Sequence, residues 1–243
     1  MIEFKNLVKK FGERTVLKGI SFGVQKGEIL FILGTSGTGK SVLLKNLVGL
    51  LRPDSGEIWI DGEETSKYSE DEYLRIRRKV GMVFQQPALF DSLTIFDNIA
   101  FGLRRLEKLP EDQIKERVQE ALASVHLRGI EAKFPPQISY GMQKRVSLAR
   151  TVALRPQVLL FDEPTTGLDP VTTTAVNLLI QELSRKLRTT SIVVSHDMNC
   201  ALSIADRIVV LDQGHIVDQG TPDEMKLSKA PLVRDFLAEV LNA

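Results

Sequence analysis

Several residue types are scarce in this chain, and each shortage closes off a class of protein. Cys200 is the one cysteine, so no internal disulfide can form. Neither charge sign is in excess: Lys plus Arg number 32, Asp plus Glu 31, and the net charge is +1. Such a balance creates no field that draws the molecule to nucleic acid. No apolar run approaches the roughly 18 residues of a membrane span. The opening MIEFKNLVKKFG lacks the apolar h-region of a secretory signal. A soluble, cytoplasmic protein is expected, and any work at a membrane needs other chains to cross it. Internal repeats and low-complexity segments are absent too. What remains is a chain of 243 residues, long enough for a sizeable core. It can form one large α/β domain or a domain with an inserted subdomain.

The most informative stretch is Gly34-Thr35-Ser36-Gly37-Thr38-Gly39-Lys40-Ser41. It fits G-x-x-x-x-G-K-[ST], a phosphate-binding P-loop. The preceding run, Glu28 to Leu33, is short, apolar and branched, and reads as a buried strand. After it, Leu43, Leu44, Leu47 and Leu51 recur at helical spacing, which predicts a helix over 42–51. Strand, glycine loop and helix are the context the motif needs. The glycines let backbone N–H groups turn inward on phosphate oxygens, and the helix N-terminus adds partial positive charge. Lys40 would reach the β- and γ-phosphates, and the Ser41 hydroxyl would ligate Mg²⁺.

Taken in order, residues 1–33 read as β-rich, with Phe11 next to Gly12 at a strand end. The Phe11 ring is either an ordinary core residue or a platform on which a base stacks. Residues 52–64 predict a hairpin in which Trp59 is half-buried, and the charged stretch 65–77 predicts a helix. Lys79 to Phe84 reads as a strand ending at Gln85. Over residues 86–156 helical periodicity takes over, with Ile114, Val118, Leu122 and Val125 forming one stripe. Pro135-Pro136 breaks the chain, and Ser139 reads as the N-cap of a helix to about Leu154. The division expected is 1–85 with 157–229 as an α/β core plus β subdomain, 86–156 as a helical insertion, and 230–243 as a C-terminal helix. In that last helix Leu232, Val233, Phe236, Leu237, Val240 and Leu241 make a wide apolar face. It docks either on its own domain or on a second subunit. Strands alternating with helices imply a mainly parallel sheet.

A P-loop says nucleotide, not reaction. The carboxylates that reaction needs follow the apolar strand Val158 to Phe161 as Asp162 and Glu163. Ligands bind outside the carboxyl ends of strands in open α/β sheets. Asp162 would hold Mg²⁺ through its water shell. Glu163 would polarise a water aligned with the γ-phosphate. Gln85 and His196 each end a predicted strand. Gln85 would turn to metal or attacking water, and His196 would donate a hydrogen bond to phosphate. His126 and His215 have no such setting and read as surface residues.

Together these residues closely resemble the ATP-binding-cassette (ABC) ATPases across nearly the whole chain. In order they are Phe11, the Walker A loop at 34–41, Gln85 of the Q-loop, and the signature Ile138-Ser139-Tyr140-Gly141-Met142. Walker B at 158–163, the D-loop Gly167-Leu168-Asp169, and His196 follow. The resemblance implies a P-loop NTPase fold with a mainly parallel core, an antiparallel β subdomain and an inserted helical subdomain. It implies MgATP hydrolysis, with Phe11 on adenine, residues 34–41 on phosphates, and Ser41, Gln85 and Asp162 on Mg²⁺. Glu163, His196 and Gln85 would form the catalytic group. Ser139 and Gly141 would cap the nucleotide of a second copy. The family signature is usually L-S-G-G-Q. Here Tyr140 replaces its first glycine, so hydrolysis would be slowed or the sandwich altered.

Softer similarities favour the Mla/Mce-type ATPases of bacterial lipid transport. They include Gly81 to Gln85 running into Ala88 to Thr94, Phe96 to Ala100, Ser203 to Asp206, Val233 to Leu237, and Met142. That resemblance implies a second copy, transmembrane permease subunits and an Mce-domain lipid-binding protein as partners, at the cytoplasmic face of the inner membrane. ATPases of polar amino-acid importers share much the same layout and stay open as the alternative. A soluble ABC ATPase on DNA or ribosomes is the rival from another class, though the chain has no basic excess, cysteine cluster or second cassette. A module that closes on ATP without hydrolysis is the third reading, raised by Tyr140.

Overall fold

The computed structural model describes residues 2–241. Met1, Asn242, Ala243 and the side chain of Leu241, part of the expected 230–243 segment, lie outside the described residues. Two sheets organise the chain. The smaller joins β1 (Ile2–Phe11), β2 (Arg14–Val24), β4 (Ser55–Ile60) and β5 (Glu63–Glu64) in the order β2-β1-β4-β5, all antiparallel. The larger joins β3 (Ile29–Leu33), β6 (Val80–Val83), β7 (Val158–Asp162), β8 (Thr190–Ser195), β9 (Arg207–Asp212) and β10 (His215–Gly220). Its order is β10-β9-β3-β8-β7-β6, and every neighbour pair is parallel except β9 with β10.

Strand β3 shows why the central strands read as unbroken apolar runs. Ile29, Phe31 and Leu33 pack into one core, with the helices that follow β6 and β7. Leu30 and Ile32 pack into the other, with the antiparallel sheet and helix α1 (Lys40–Leu47). A strand covered on both faces has no polar side to show, so alternation disappears.

Between β6 and β7 the described chain is helical: α3 (Ile95–Gly102), α4 (Glu111–Ser124) and α5 (Tyr140–Val152). A π-helical turn at Leu103–Glu107 extends α3, and Lys108 closes it with φ 52°. After β7 come α6 (Pro170–Leu187), α7 (Met198–Ile204), α8 (Pro222–Lys226) and α9 (Pro231–Leu241).

Local departures from the sequence reading have identifiable causes. Helix α1 begins at Lys40 and stops at Leu47, because the chain turns at Gly49 with φ 69°. A side chain on Gly49 would strike the Tyr73 ring, which is held at about 2.5 Å from the Cβ position. The charged stretch 65–77 is helical from Glu70 only, as helix α2 (Glu70–Lys79). Ser69 sets that start: its hydroxyl accepts from Glu72 N–H, while the Glu72 carboxylate accepts from Ser69 N–H. Helix α9 docks on its own domain, burying Val233 and Phe236 against the large core. Trp59 is half-buried, as expected, and Lys5 sits 4.5 Å from its ring.

Candidate nucleotide site

Four loops at the carboxyl ends of adjacent parallel strands meet at one cavity. The P-loop follows β3, His196 follows β8, Glu163 follows β7 and Gln85 lies just beyond β6. Since β3, β8, β7 and β6 are consecutive in the sheet, the order of strands alone brings these residues together. The cavity is about 680 Å³ and is lined by Thr35, Ser36, Gly37, Lys40, Ser41, Gln85, Glu163 and His196 among others. That volume falls within the usual range of small-molecule sites.

The P-loop is shaped for close backbone approach to a ligand. Gly37 and Gly39 hold φ 79° and 105°, conformations a side chain disfavours. Gly34 has no room for one: an added Cβ would lie 2.4 Å from the Leu211 carbonyl oxygen. Gly39 is also the N-cap of α1 and offers no side chain to the first-turn N–H groups. Those donors stay free for an anion. Thr38 braces the loop through its hydroxyl, which donates to the Thr35 carbonyl at 3.0 Å. Lys40 folds back into the cradle. Its ammonium donates to the carbonyls of Gly34 at 2.7 Å and Thr35 at 3.0 Å, and stands 3.5 Å from Glu163 Oε1.

Glu163 is the hub of the carboxylate side. It takes a left-handed backbone, φ 49°, sparsely populated for a residue with a Cβ. Its amide donates to the Val194 carbonyl at 3.0 Å, which pins the turn to β8. Its Oε2 lies 2.8 Å from His196 Nδ1 and accepts from Thr166 Oγ1 at 3.2 Å. Asp162, one residue earlier, is buried and accepts from the Ser41 hydroxyl at 2.6 Å. Among the described residues no cluster of three or more His, Cys, Asp or Glu could cage a metal alone. A hydroxyl and one carboxylate facing a phosphate cradle is the donor set that suits Mg²⁺, which keeps waters and shares phosphate oxygens.

Other expected site residues are placed apart from this cavity. Phe11 is 47% exposed at the turn into β2 and is not a core residue. It is not among the lining residues, whereas Arg14 and Val16, just past that turn, are. Ser139 caps α5, its hydroxyl accepting from Met142 N–H at 3.3 Å. Gly141 packs against the start of α6, where an added Cβ would meet Thr172 at 2.9 Å. Neither Ser139 nor Gly141 lines the cavity of its own chain. Tyr140 lies beside them with its hydroxyl 3.3 Å from Gln86 Oε1. His126 and His215 are exposed, and His126 contacts Glu182 at 3.0 Å.

Sequence reasoning missed five lining residues besides Val16: Arg14, Val42, Thr166, Phe236 and Glu239. Thr166 lies three residues after Glu163, a spacing that points to a turn bond. The two from α9 arrive by long-range packing, which leaves no local pattern.

The ABC transporter family model matches residues 17–166. The probable ribonucleotide transport ATP-binding protein Mkl of Mycobacterium leprae is 43% identical over 236 residues, 97% of this chain and 68% of that protein. The methionine import ATP-binding protein MetN of Carboxydothermus hydrogenoformans is 41% identical over 246 residues, 100% of this chain and 73% of that protein. The intermembrane phospholipid transport system ATP-binding protein MlaF of Haemophilus influenzae is 41% identical over 237 residues, 98% of this chain and 90% of that protein. Among solved structures, CbiO1 of Clostridium perfringens, part of the transporter complex CbiONQ, superposes with TM-score 0.87 at 34% identity. It covers 94% of this chain and 91% of its own. A dimeric post-hydrolysis state of the ATP-binding cassette MJ0796, bound to ADP and Pi, gives TM-score 0.83 at 33% identity, covering 91% and 99%. With its P-loop, strand-end carboxylates and cassette fold, this chain belongs to the ABC transporter family as one of its ATP-hydrolysing cassettes.

Proposed function

We propose that this chain drives lipid transport in a bacterial envelope, two copies closing head to tail on two MgATP. The observation that carries the cargo is the phospholipid-transport relative, which aligns over nearly the full length of both chains. The dimeric cassette of like fold supports the pairing. On this reading the core and β subdomain (1–85 and 157–229) hold nucleotide, and the helical part (86–156) carries the signature to the partner.

The residues divide the work. The P-loop amides and Lys40 bind the phosphates. Lys40 gives up its carbonyl and Glu163 contacts to do so. Ser41, Asp162 and Gln85 would hold Mg²⁺, which would supply positive charge against the charge that develops on the transferred phosphoryl group. Glu163, released from Lys40 and kept oriented by Thr166, accepts the proton of the attacking water. His196 donates to a γ-phosphate oxygen. Phe11 and Val16 would flank the base. Ser139 and Gly141 supply the N-terminus of α5 to the other copy's nucleotide.

An apolar surface near Gln85 supports a permease partner. Phe84, Phe90, Phe101 and Leu106 are exposed, with the Phe90 and Phe101 rings 5.2 Å apart. Leu89 and Phe96 are partly buried against the core. Within 88–96, Leu89 and Phe96 thus pack the helical part, while the Phe90 ring is left for a cytoplasmic helix of a membrane subunit.

A second reading has its own support: the methionine-import relative is as similar by identity as the phospholipid one. Recovering the full chain from detergent-solubilised native membranes separates the two. Co-purification with a permease, an Mce-domain protein and phospholipid is expected. A permease with an amino-acid-binding protein would move the cargo to polar solutes. Recovery with ribosomes or DNA alone would overturn the transport reading.

A further inference from the structure

Helix α5 carries a charged residue in a place that is costly for charge. Lys144 is 4% exposed. Its ammonium donates to one acceptor, the main-chain oxygen of Gln85, at 2.6 Å, and lies 5.5 Å from the Tyr140 ring. Among the described residues it forms no ion pair, and the charge that acts on it is the Glu163 carboxylate. Burial pushes its ammonium below the ordinary lysine range. An apolar side chain of the same length would avoid that penalty, so packing alone gives no reason for a lysine here.

The contact belongs to a set. Tyr140, one turn before Lys144 on the same face of α5, bonds Gln86 at 3.3 Å. Arg150, further along the helix, donates to the carbonyls of Pro87 at 3.2 Å and Ala88 at 2.7 Å. Four consecutive residues, 85–88, are therefore each held by a side chain of α5. The segment needs such holding. It lies past the end of β6, outside any sheet ladder, and Ala88 takes φ 49°.

We infer that Lys144 is a positioning residue for hydrolysis, holding the Gln85 backbone so that the Gln85 side chain faces the phosphate end of the cavity. The same helix begins at Ser139. A shift of α5 that seats Ser139 on the partner's nucleotide therefore moves Gln85 in the chain's own site. Tyr140 gains a purpose in this arrangement: the side chain replacing the signature's first glycine straps Gln86. The inference rests on the proposed roles of Gln85 and Ser139 and specifies how they are linked.

Steady-state ATPase of the intact chain across MgATP concentrations tests it, using Lys144→Met, Lys144→Arg, Gln85→Ala and the Met/Ala double variant. Lys144→Met is expected to lower kcat about tenfold or more, the scale of a small misplacement at a reacting centre. KM for ATP should change less than about threefold, because the P-loop is untouched. Thermal stability should hold or rise. Lys144→Arg, which keeps charge and donor, should recover most of the rate and keeps the test open if the Met variant folds poorly. In the Gln85→Ala background, Lys144→Met should add no further loss. Full kcat in Lys144→Met beside a slow Gln85→Ala would overturn the inference, as would losses that multiply in the double variant. An unimpaired Gln85→Ala would instead remove the role of Gln85 on which the inference stands.

Discussion

Glu163 shows how much of this site depends on single residues. Its left-handed backbone aims the carboxylate back toward Lys40 and His196 rather than along the strand. Holding that turn costs on the order of 1 kcal/mol or more, and the amide bond to Val194 helps keep it. Gly34 is as constrained, for a steric reason. A Cβ there would press on the Leu211 carbonyl, which is main chain and cannot swing aside. Gly34→Ala is therefore expected to destabilise the fold by about 1–3 kcal/mol, seen as a lower Tm without nucleotide. An unchanged Tm would show that β9 yields at no cost. The residue types of the site were legible because phosphate chemistry needs them at fixed spacing. Their present partners were not. No spacing rule says that Lys40 rests on its own loop carbonyls, or that Ser41 donates to Asp162 across 121 positions of sequence.

Elements were legible where their ends carry a polar signal. Ser139 starts α5 as its hydroxyl predicts, and Pro135 and Pro136 occupy the short turn before it. Helix α3 escaped notice because IFDNIAFG is too short and too apolar to show a stripe. The clue was Thr94 with Asp97: Thr94 caps the helix and accepts from Asp97 N–H at 3.0 Å. Asn98 on that helix is fully buried and does more than fill space. Its Oδ1 accepts from Phe90 N–H, and its amide donates to the carbonyls of Phe90, Leu93 and Thr94. Asn98→Ala should cost about 2–4 kcal/mol, since it orphans several main-chain groups. Chemical denaturation would measure it, and a loss under 0.5 kcal/mol would deny Asn98 that role. At the start of α2, the Glu72 carboxyl is held below its ordinary value, chiefly by the Ser69 amide and then by the Ser69 hydroxyl. A depressed carboxyl contributes stability that is present above about pH 4.5 and lost as pH falls through the folded value. The Ser69→Ala variant should thus lose less Tm than the parent on acidification below pH 4.5. Parallel curves would refute the capping box as the source.

At the scale of the molecule, alternating strands and helices announced a parallel sheet, and the unbroken apolar strands announced cover on both faces. The sheet order places the four strand ends side by side, and no single segment encodes that. Helix α9 is the clearest case. Its apolar face was evident, but its seat beside the nucleotide cavity depends on packing against elements far away in sequence. That seat brings Glu239 to the cavity wall, where ATP would add its own negative charge. Glu239→Gln is expected to tighten MgATP binding severalfold at low ionic strength and much less at high salt, as Debye screening grows. A salt-independent change, or none, would place the carboxylate too far away to be felt. Among the described residues no helix is long and apolar enough to cross a membrane.

On the proposed mechanism, ATP is hydrolysed at this cavity with Glu163 as the base. MgATP binding and phosphate release by the intact chain, measured side by side for the parent and Glu163→Gln, test it most directly. The variant is expected to bind MgATP at least as tightly as the parent and to release phosphate at least about a hundredfold more slowly, the usual scale of general-base catalysis. Phosphate release at the parental rate would contradict it and take Glu163 out of the reaction.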